Sequence, residues 1–250
     1  VSLRKLYIPL TLILVVLAAC NNGPAPEEQI YEHLEKAVSL EEEFRKQQQP
    51  IVELERKEQE LYNKIINLSM EEFDQIKEYS KEAADLVEER QQKIELEKES
   101  IDAAKEEFDK IEPLIDDLDE EEQAEAIEKA KVLVKTMNNR YDAYQQLYED
   151  YQAAIALDKE LYQLLQKEDL EEETLQKHIE KINDSYDKVI KSNETFNKYT
   201  EEYNQQKKAF YEATDLNVEY SEDEKDVSGS ESNEPKKEEN AENDEQNSEE

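Results

Sequence analysis

The chain has no tryptophan, one cysteine, two glycines and two histidines among 250 residues, and each scarcity closes a class of explanation. Sheet-based enzymes draw on glycine-rich turns and a broad apolar interior, and this composition supplies neither. With Cys20 as the sole cysteine no disulfide can brace the fold, so its stability must come from packing. His33 and His178 stand alone, without second ligands at zinc-like spacing, and no nucleophile motif accompanies them. Bases are also scarce: 31 Lys and Arg face 67 Asp and Glu, for a formal charge of -36. Phosphate backbones are held by clustered Lys and Arg, so nucleic acid is not expected as a partner. Carboxylates are plentiful, but acid–base work needs a sheltered pocket that raises one pKa. Runs such as Glu41-Glu42-Glu43 and Glu171-Glu172-Glu173 read as solvated helix faces or first-turn charges. We therefore expect a protein that is not an enzyme and that carries no metal or diffusible cofactor.

What is present begins with the N-terminus. Arg4 and Lys5 precede a nearly uncharged run from Leu6 to Leu17, followed by small residues, the pattern of a secretory signal peptide over residues 1–19. The run falls short of the roughly 20 residues that a permanent membrane span needs. It ends in Leu17-Ala18-Ala19-Cys20, a quartet that resembles a bacterial lipobox. The resemblance implies cleavage before Cys20 and a diacylglyceryl group on its thiol, with a further acyl chain on its amine as an optional addition such as palmitate. Two acyl chains give stable membrane attachment where one is marginal. Residues 20–26, with Gly23, Pro24 and Pro26, then form a short polar tether.

From Glu27 to Ala213 there is no glycine, and Pro50 and Pro113 are the prolines. Long helices follow. Phe73, Ile76, Ala83, Val87, Ile94, Ile101, Ala104, Phe108 and Ile111 share one 3-4 register, interrupted by Ser80, Arg90 and Glu97, as in coiled-coil-like packing. The spacings Ser69 to Glu72, Asp119 to Glu122 and Asp169 to Glu172 suit helix N-termini. They predict helices near 27–68, 70–112, 120–167 and 170–213, with a kink at 47–51 where Pro50 removes a hydrogen bond. Short connections make neighbouring helices antiparallel. The expected fold is all-α, an elongated up-and-down bundle of about four long antiparallel helices over residues 27–213. Glu60-Leu61-Tyr62 recurs as Glu160-Leu161-Tyr162, an echo that fits a duplicated hairpin. Residues 214–250 turn to Glu, Asp, Asn, Ser and Lys, too polar to repay ordering, and are expected to form a disordered acidic tail.

Two constellations are candidates for contact with other molecules. Tyr141, Tyr144, Tyr148 and Tyr151 form a stripe on the third helix. Such rings suit a half-buried seam, or, facing outward, a stacking surface for sugar or protein. Asp117, Asp119, Glu121 and Glu128 carry the spacing of calcium-loop positions, but Glu122 stands where the turn-forming glycine is needed, and helix capping explains the same residues.

The lipobox quartet, the Asn/Pro tether, the Glu/Lys/Gln/Tyr-rich helical body and the acidic tail together resemble the YkyA-type cell-wall-binding lipoproteins of Gram-positive bacteria. The resemblance implies a binding or scaffold lipoprotein on the outer face of the cytoplasmic membrane, held there through Cys20 and contacting the cell wall or another envelope protein. The alternative is a self-associating coiled-coil spacer with no small ligand, so homo-oligomerisation is left open.

Overall fold

The computed structural model describes residues 23–214 together with Leu216 and Val218. The leader, the Leu17-Ala18-Ala19-Cys20 quartet and nearly all of the acidic tail lie outside the described residues. The first long helix is built in two pieces, α1 (Pro26–Leu40) and α2 (Glu42–Ile66). Pro26 opens α1 where its missing N–H leaves no bond unmade, and Glu28 reaches back to accept the Ala25 N–H at 3.2 Å. After the turn at 67–69, Ser69 donates its N–H to Glu72 Oε2 at 3.2 Å, the expected capping box, and a 3-10 turn (Met70–Glu72) leads into α3 (Phe73–Phe108).

Helical structure continues past the expected stop at 112, through a 3-10 turn (Asp109–Ile111) and the short α4 (Glu112–Ile115). Pro113 does not end the segment because it falls in the first turn of α4, where no N–H donor is required. Then α5 (Ala124–Leu164) begins later than the expected residue 120. Asp119 caps the preceding turn instead, its Oδ1 accepting the N–H groups of Glu121 at 2.8 Å and Glu122 at 3.0 Å. The last helix, α6 (Glu172–Glu212), completes the set, and no strand occurs among the described residues.

These helices pack as the pattern requires. The first line, α1 with α2, runs antiparallel to α3; α5 runs back along α3, and α6 runs back along α5 to end beside α1. There Tyr211 donates its hydroxyl to Glu35 at 2.8 Å and packs on Tyr31 with ring centroids 5.3 Å apart. The result is an all-α up-and-down bundle of four long helical segments. Ile51, Leu61, Ala83, Val87, Ile94, Ile155 and Leu161 meet in one apolar cluster; Ile101, Leu147, Ala154, Val189 and Phe196 meet in another. Both members of the Glu-Leu-Tyr echo sit at the same end of the bundle, with Leu61 and Leu161 buried.

The interruption of the first helix falls at Glu41, upstream of the segment 47–51, and α2 continues through Pro50. Its cause is long-range. Ser100 of α3 inserts its hydroxyl into the helical ladder, donating to Leu40 O at 2.6 Å and accepting the Phe44 N–H at 3.0 Å. A side chain placed between residues i and i−4 bends a helix as effectively as proline does. Ser100 is buried, so Ser100→Ala leaves the part-buried Leu40 carbonyl and Phe44 amide short of a partner, a loss of about 1–3 kcal/mol. For a domain of this size that is a fall of roughly 3–10 °C in melting temperature, and an unchanged thermal midpoint would show that the ladder closes without it.

Candidate functional site

The tyrosine stripe divides between interior and seam. Tyr144 is 2% exposed and packs against Phe44 and Phe196, with centroids 5.9 and 5.4 Å away. Tyr151 donates its hydroxyl to Glu55 and lies under the Arg90 guanidinium, 5.7 Å from the ring centre. Tyr141 and Tyr148 are half-buried beside α3, where Lys105 and Lys98 stand over their rings at 5.4 and 5.5 Å. Tyr141 also donates to Asp102 at 3.0 Å; burial, with that carboxylate, pushes its pKa up to about 12. Cations over ring faces are attracted by the negative π surface. These four rings therefore tie α5 to α2 and α3.

Beneath the stripe lies a polar layer that the apolar register conceals. Arg90 of α3 is 2% exposed and reaches Asp158 of α5 through one guanidinium nitrogen and Glu58 of α2 through the other at 3.2 Å, with Glu55 at 3.9 Å. Tyr186 of α6 donates to Asp158 at 2.6 Å and Tyr162 of α5 to Glu58 at 3.2 Å. All four long segments meet here. Nearer α1, Glu97 of α3 is buried and accepts a hydrogen bond from Gln48 of α2. Burial pushes Glu58 up to about 7 despite Arg90, because Asp158 already holds that cation; burial pushes Glu97 up to about 8, with Gln48 opposing and Glu55 reinforcing the shift.

A second buried arginine locks the joint in the first helix. Arg140 of α5 donates two parallel hydrogen bonds to Glu41, at 2.6 and 2.8 Å, and a third from Nε to Thr200 of α6 at 3.0 Å. Its guanidinium packs against Phe196 and Tyr203, 5.1 and 5.5 Å from the ring centres. Burial works against the Arg140 charge and Glu41 more than restores it. Closer to the N-terminus, Glu107 receives His33 at 2.7 Å, Lys36 at 2.9 Å and Lys110 at 2.7 Å. The bond from Lys110, aided by His33 and Lys36, holds Glu107 down at about 2.

Both histidines are engaged in the helical framework. His33 pairs with Glu107, and His178, 4% exposed, bonds the Leu157 carbonyl at 2.8 Å. Asp119 of the calcium-like spacing is occupied with backbone amides. Among the described residues no three His, Cys, Asp or Glu side chains gather to hold a metal ion, and no helix is long and apolar enough to cross a membrane. The carboxyls with raised pKa are enclosed. They do not line the shallow, open depression of about 400 Å³ formed by Glu60, Asn63, Lys64, Asn67, Leu68 and Tyr79 at the α2–α3 turn. Ile66 and Met70, 57% and 63% exposed, flank this end of the helices.

Sequence reading missed Glu41, Glu58, Glu97, Arg90, Arg140 and Asp158 as a set. The available signal was positional. On α5 and at its C-cap, Leu133, Met137, Arg140, Tyr144, Leu147, Tyr151, Ala154, Asp158, Leu161 and Leu165 follow one 4-3 rhythm, so Arg140 and Asp158 occupy core positions.

Comparison with other proteins agrees with this geometry. Residues 25–213 match the YkyA family, described as "Putative cell-wall binding lipoprotein". The chain is 32% identical over 207 residues to "Uncharacterized lipoprotein YkyA" of Bacillus subtilis (strain 168), a match covering 83% of this chain and 91% of the relative. Its fold resembles the 1.6 Å crystal structure of a conserved protein of unknown function from Staphylococcus aureus, with a TM-score of 0.64, 16% identity, and coverage of 74% of this chain and 93% of that one. A helical bundle spanning the matched segment, with that level of identity over most of both sequences, places the chain in the YkyA family of lipoproteins.

Proposed function

We propose that the protein is a binding or scaffold lipoprotein of the cell envelope, anchored through a lipid on Cys20 at the outer face of the cytoplasmic membrane and engaging the cell wall rather than catalysing a reaction. The observation that carries this reading is the family match over the whole helical unit. Geometry supports it. Cys20 precedes α1 by a few residues of tether, while the turns after α2 and α5 lie at the far ends of helical segments of about 40 residues, roughly 60 Å long at 1.5 Å per residue. A membrane anchor at the near end leaves those turns, with exposed Ile66 and Met70, as the surface farthest from the bilayer. Enzyme chemistry would want an accessible pocket beside a carboxyl of raised pKa; here the raised carboxyls sit inside the bundle. The tyrosine seam is engaged within one chain, which favours a binding role over a spacer that pairs through that seam.

The test has two arms. In cells fed labelled fatty acid, the native protein is expected to take up label and fractionate with membranes, and Cys20→Ala is expected to lose both. Retention of the unlabelled variant on membranes would remove the anchor. Incubated with purified cell wall, the protein released from the membrane is expected to co-sediment; recovery wholly in the supernatant would remove wall binding and favour the spacer.

A further inference from the structure

We propose that Glu58 and Glu97 form a proton-operated lock in the middle of the bundle: protonated, they complete a neutral seam between α2, α3 and α5, and ionised, they loosen it. The starting point is a mismatch of charge within the fold. On α2 stand Glu55 and Glu58; on α3, Arg90 and Glu97; on α5, Tyr144, Tyr151, Asp158 and Tyr162; on α6, Tyr186. Arg90 is the cation that Glu55, Glu58 and Asp158 share, Asp158 takes its closest bond, and Glu97 has the Gln48 amide as its partner. Glu58 and Glu97 are each 7% exposed, so water does little to stabilise a second and third negative charge. Hydrogen bonding is also incomplete. Glu58 Oε2 lies 3.2 Å from Arg90 without an aligned bond, and the Tyr144 hydroxyl, whose field includes Glu97, has no partner although it is 2% exposed. A proton removes the negative charge that burial and the single shared cation leave uncompensated, and makes the carboxyl a donor as well as an acceptor.

The direction of the pH effect follows from these positions. In the unfolded chain both glutamates titrate near the ordinary carboxylate value of about 4.3; in the bundle burial, as the leading cause, lifts Glu58 to about 7 and Glu97 to about 8. The folded state therefore holds more protons in the window between, and stability falls as pH rises through it. Each carboxyl that titrates changes the folding constant by about tenfold per pH unit. Glu107 acts with the opposite sign, but its contribution is lost only as pH falls from the ordinary carboxylate range toward about 2. Maximum stability is thus placed near pH 5, below neutrality.

Urea denaturation of the full chain at fixed ionic strength, from pH 8 to pH 5.5, tests the lock. The folding constant is expected to rise at least about a hundredfold on acidification. The pair Glu58→Gln with Glu97→Gln is expected to match, at pH 8, the native protein at pH 5.5, and to lose most of the slope. The exposed pair Glu95→Gln with Glu99→Gln serves as a control for net charge and should keep the native slope. A native profile that is flat or that weakens on acidification overturns the proposal, as does equal flattening by the surface pair. If the buried pair does not fold, unfolding calorimetry of the native chain at pH 6.5 in buffers of different ionisation enthalpy gives a separate reading. Release of one to two protons on unfolding supports the lock, and release of none overturns it.

Discussion

Arg140→Met is expected to destabilise the bundle by about 3–5 kcal/mol, because it strands the Glu41 carboxylate in the interior without its cation. Glu41 has a side-chain exposure of 14% and receives both guanidinium nitrogens, so water replaces little of what is lost. Domains of this kind hold about 5–15 kcal/mol in total. The substitution therefore removes about a fifth or more of that margin. With a urea dependence of about 2 kcal/mol per M, the midpoint should fall by roughly 2 M. Methionine keeps much of the volume against Phe196 and Tyr203, which confines the loss chiefly to electrostatics. Adding Glu41→Gln should recover much of it, since the stranded charge is then gone, and the double-mutant cycle should show a coupling well above 1 kcal/mol. Arg140→Lys should behave as a partial loss, because an ammonium cannot reproduce the two-pronged bond. Independent, additive effects of the two substitutions would show that the pair does not hold the joint.

Arg90→Met is expected to do comparable damage at pH 8, about 3–5 kcal/mol, with one difference that identifies its cause. Without Arg90, Asp158, Glu58 and Glu55 face one another across α2 and α5 with tyrosine hydroxyls as their remaining donors. Loss of the guanidinium removes the charge that opposes the upward push of burial on Glu58, so the variant should regain stability on acidification more steeply than the native chain. Denaturation midpoints of the two proteins should converge toward pH 5. A deficit that stays constant between pH 8 and pH 5 would assign the effect of Arg90 to packing alone.

The parts of this molecule that were legible from sequence are those set by local chemistry. Absence of glycine over 27–213 and the 3-4 register of α3 point directly to long packed helices, and Ser69 with Glu72 marks the start of the second segment. The joint at Glu41 was not legible, because nothing near residue 41 breaks a helix. Ser100 does so from a distant position in the chain, and Arg140 holds the Glu41 side chain at the joint. Pro50 offers the reverse lesson, a strong local breaker that α2 accommodates. The polar layer falls between these cases. Ser80, Arg90 and Glu97 look like gaps in the apolar rhythm of α3, yet all three are buried at that rhythm, at 0%, 2% and 7% exposure. A polar residue in register is better read as a buried partner awaiting its counterpart than as an exposed exception. Asp158 and Arg140 on α5 obey the same rule.

The two-piece construction of the first helix also decides how tension would travel through the protein. A pull delivered through residue 26 loads α1 first, and α1 is a short segment joined to α2 through a ladder in which Ser100 replaces the rung between Leu40 O and the Phe44 N–H. Separating it from α3 and α6 would break the pairs of His33 and Lys36 with Glu107 together with the Tyr31–Tyr211 and Glu35–Tyr211 contacts, and would uncover Ile30 and Leu34. The next attachment such a pull would meet is the two-pronged bond from Arg140 to Glu41, which ties the start of α2 to α5.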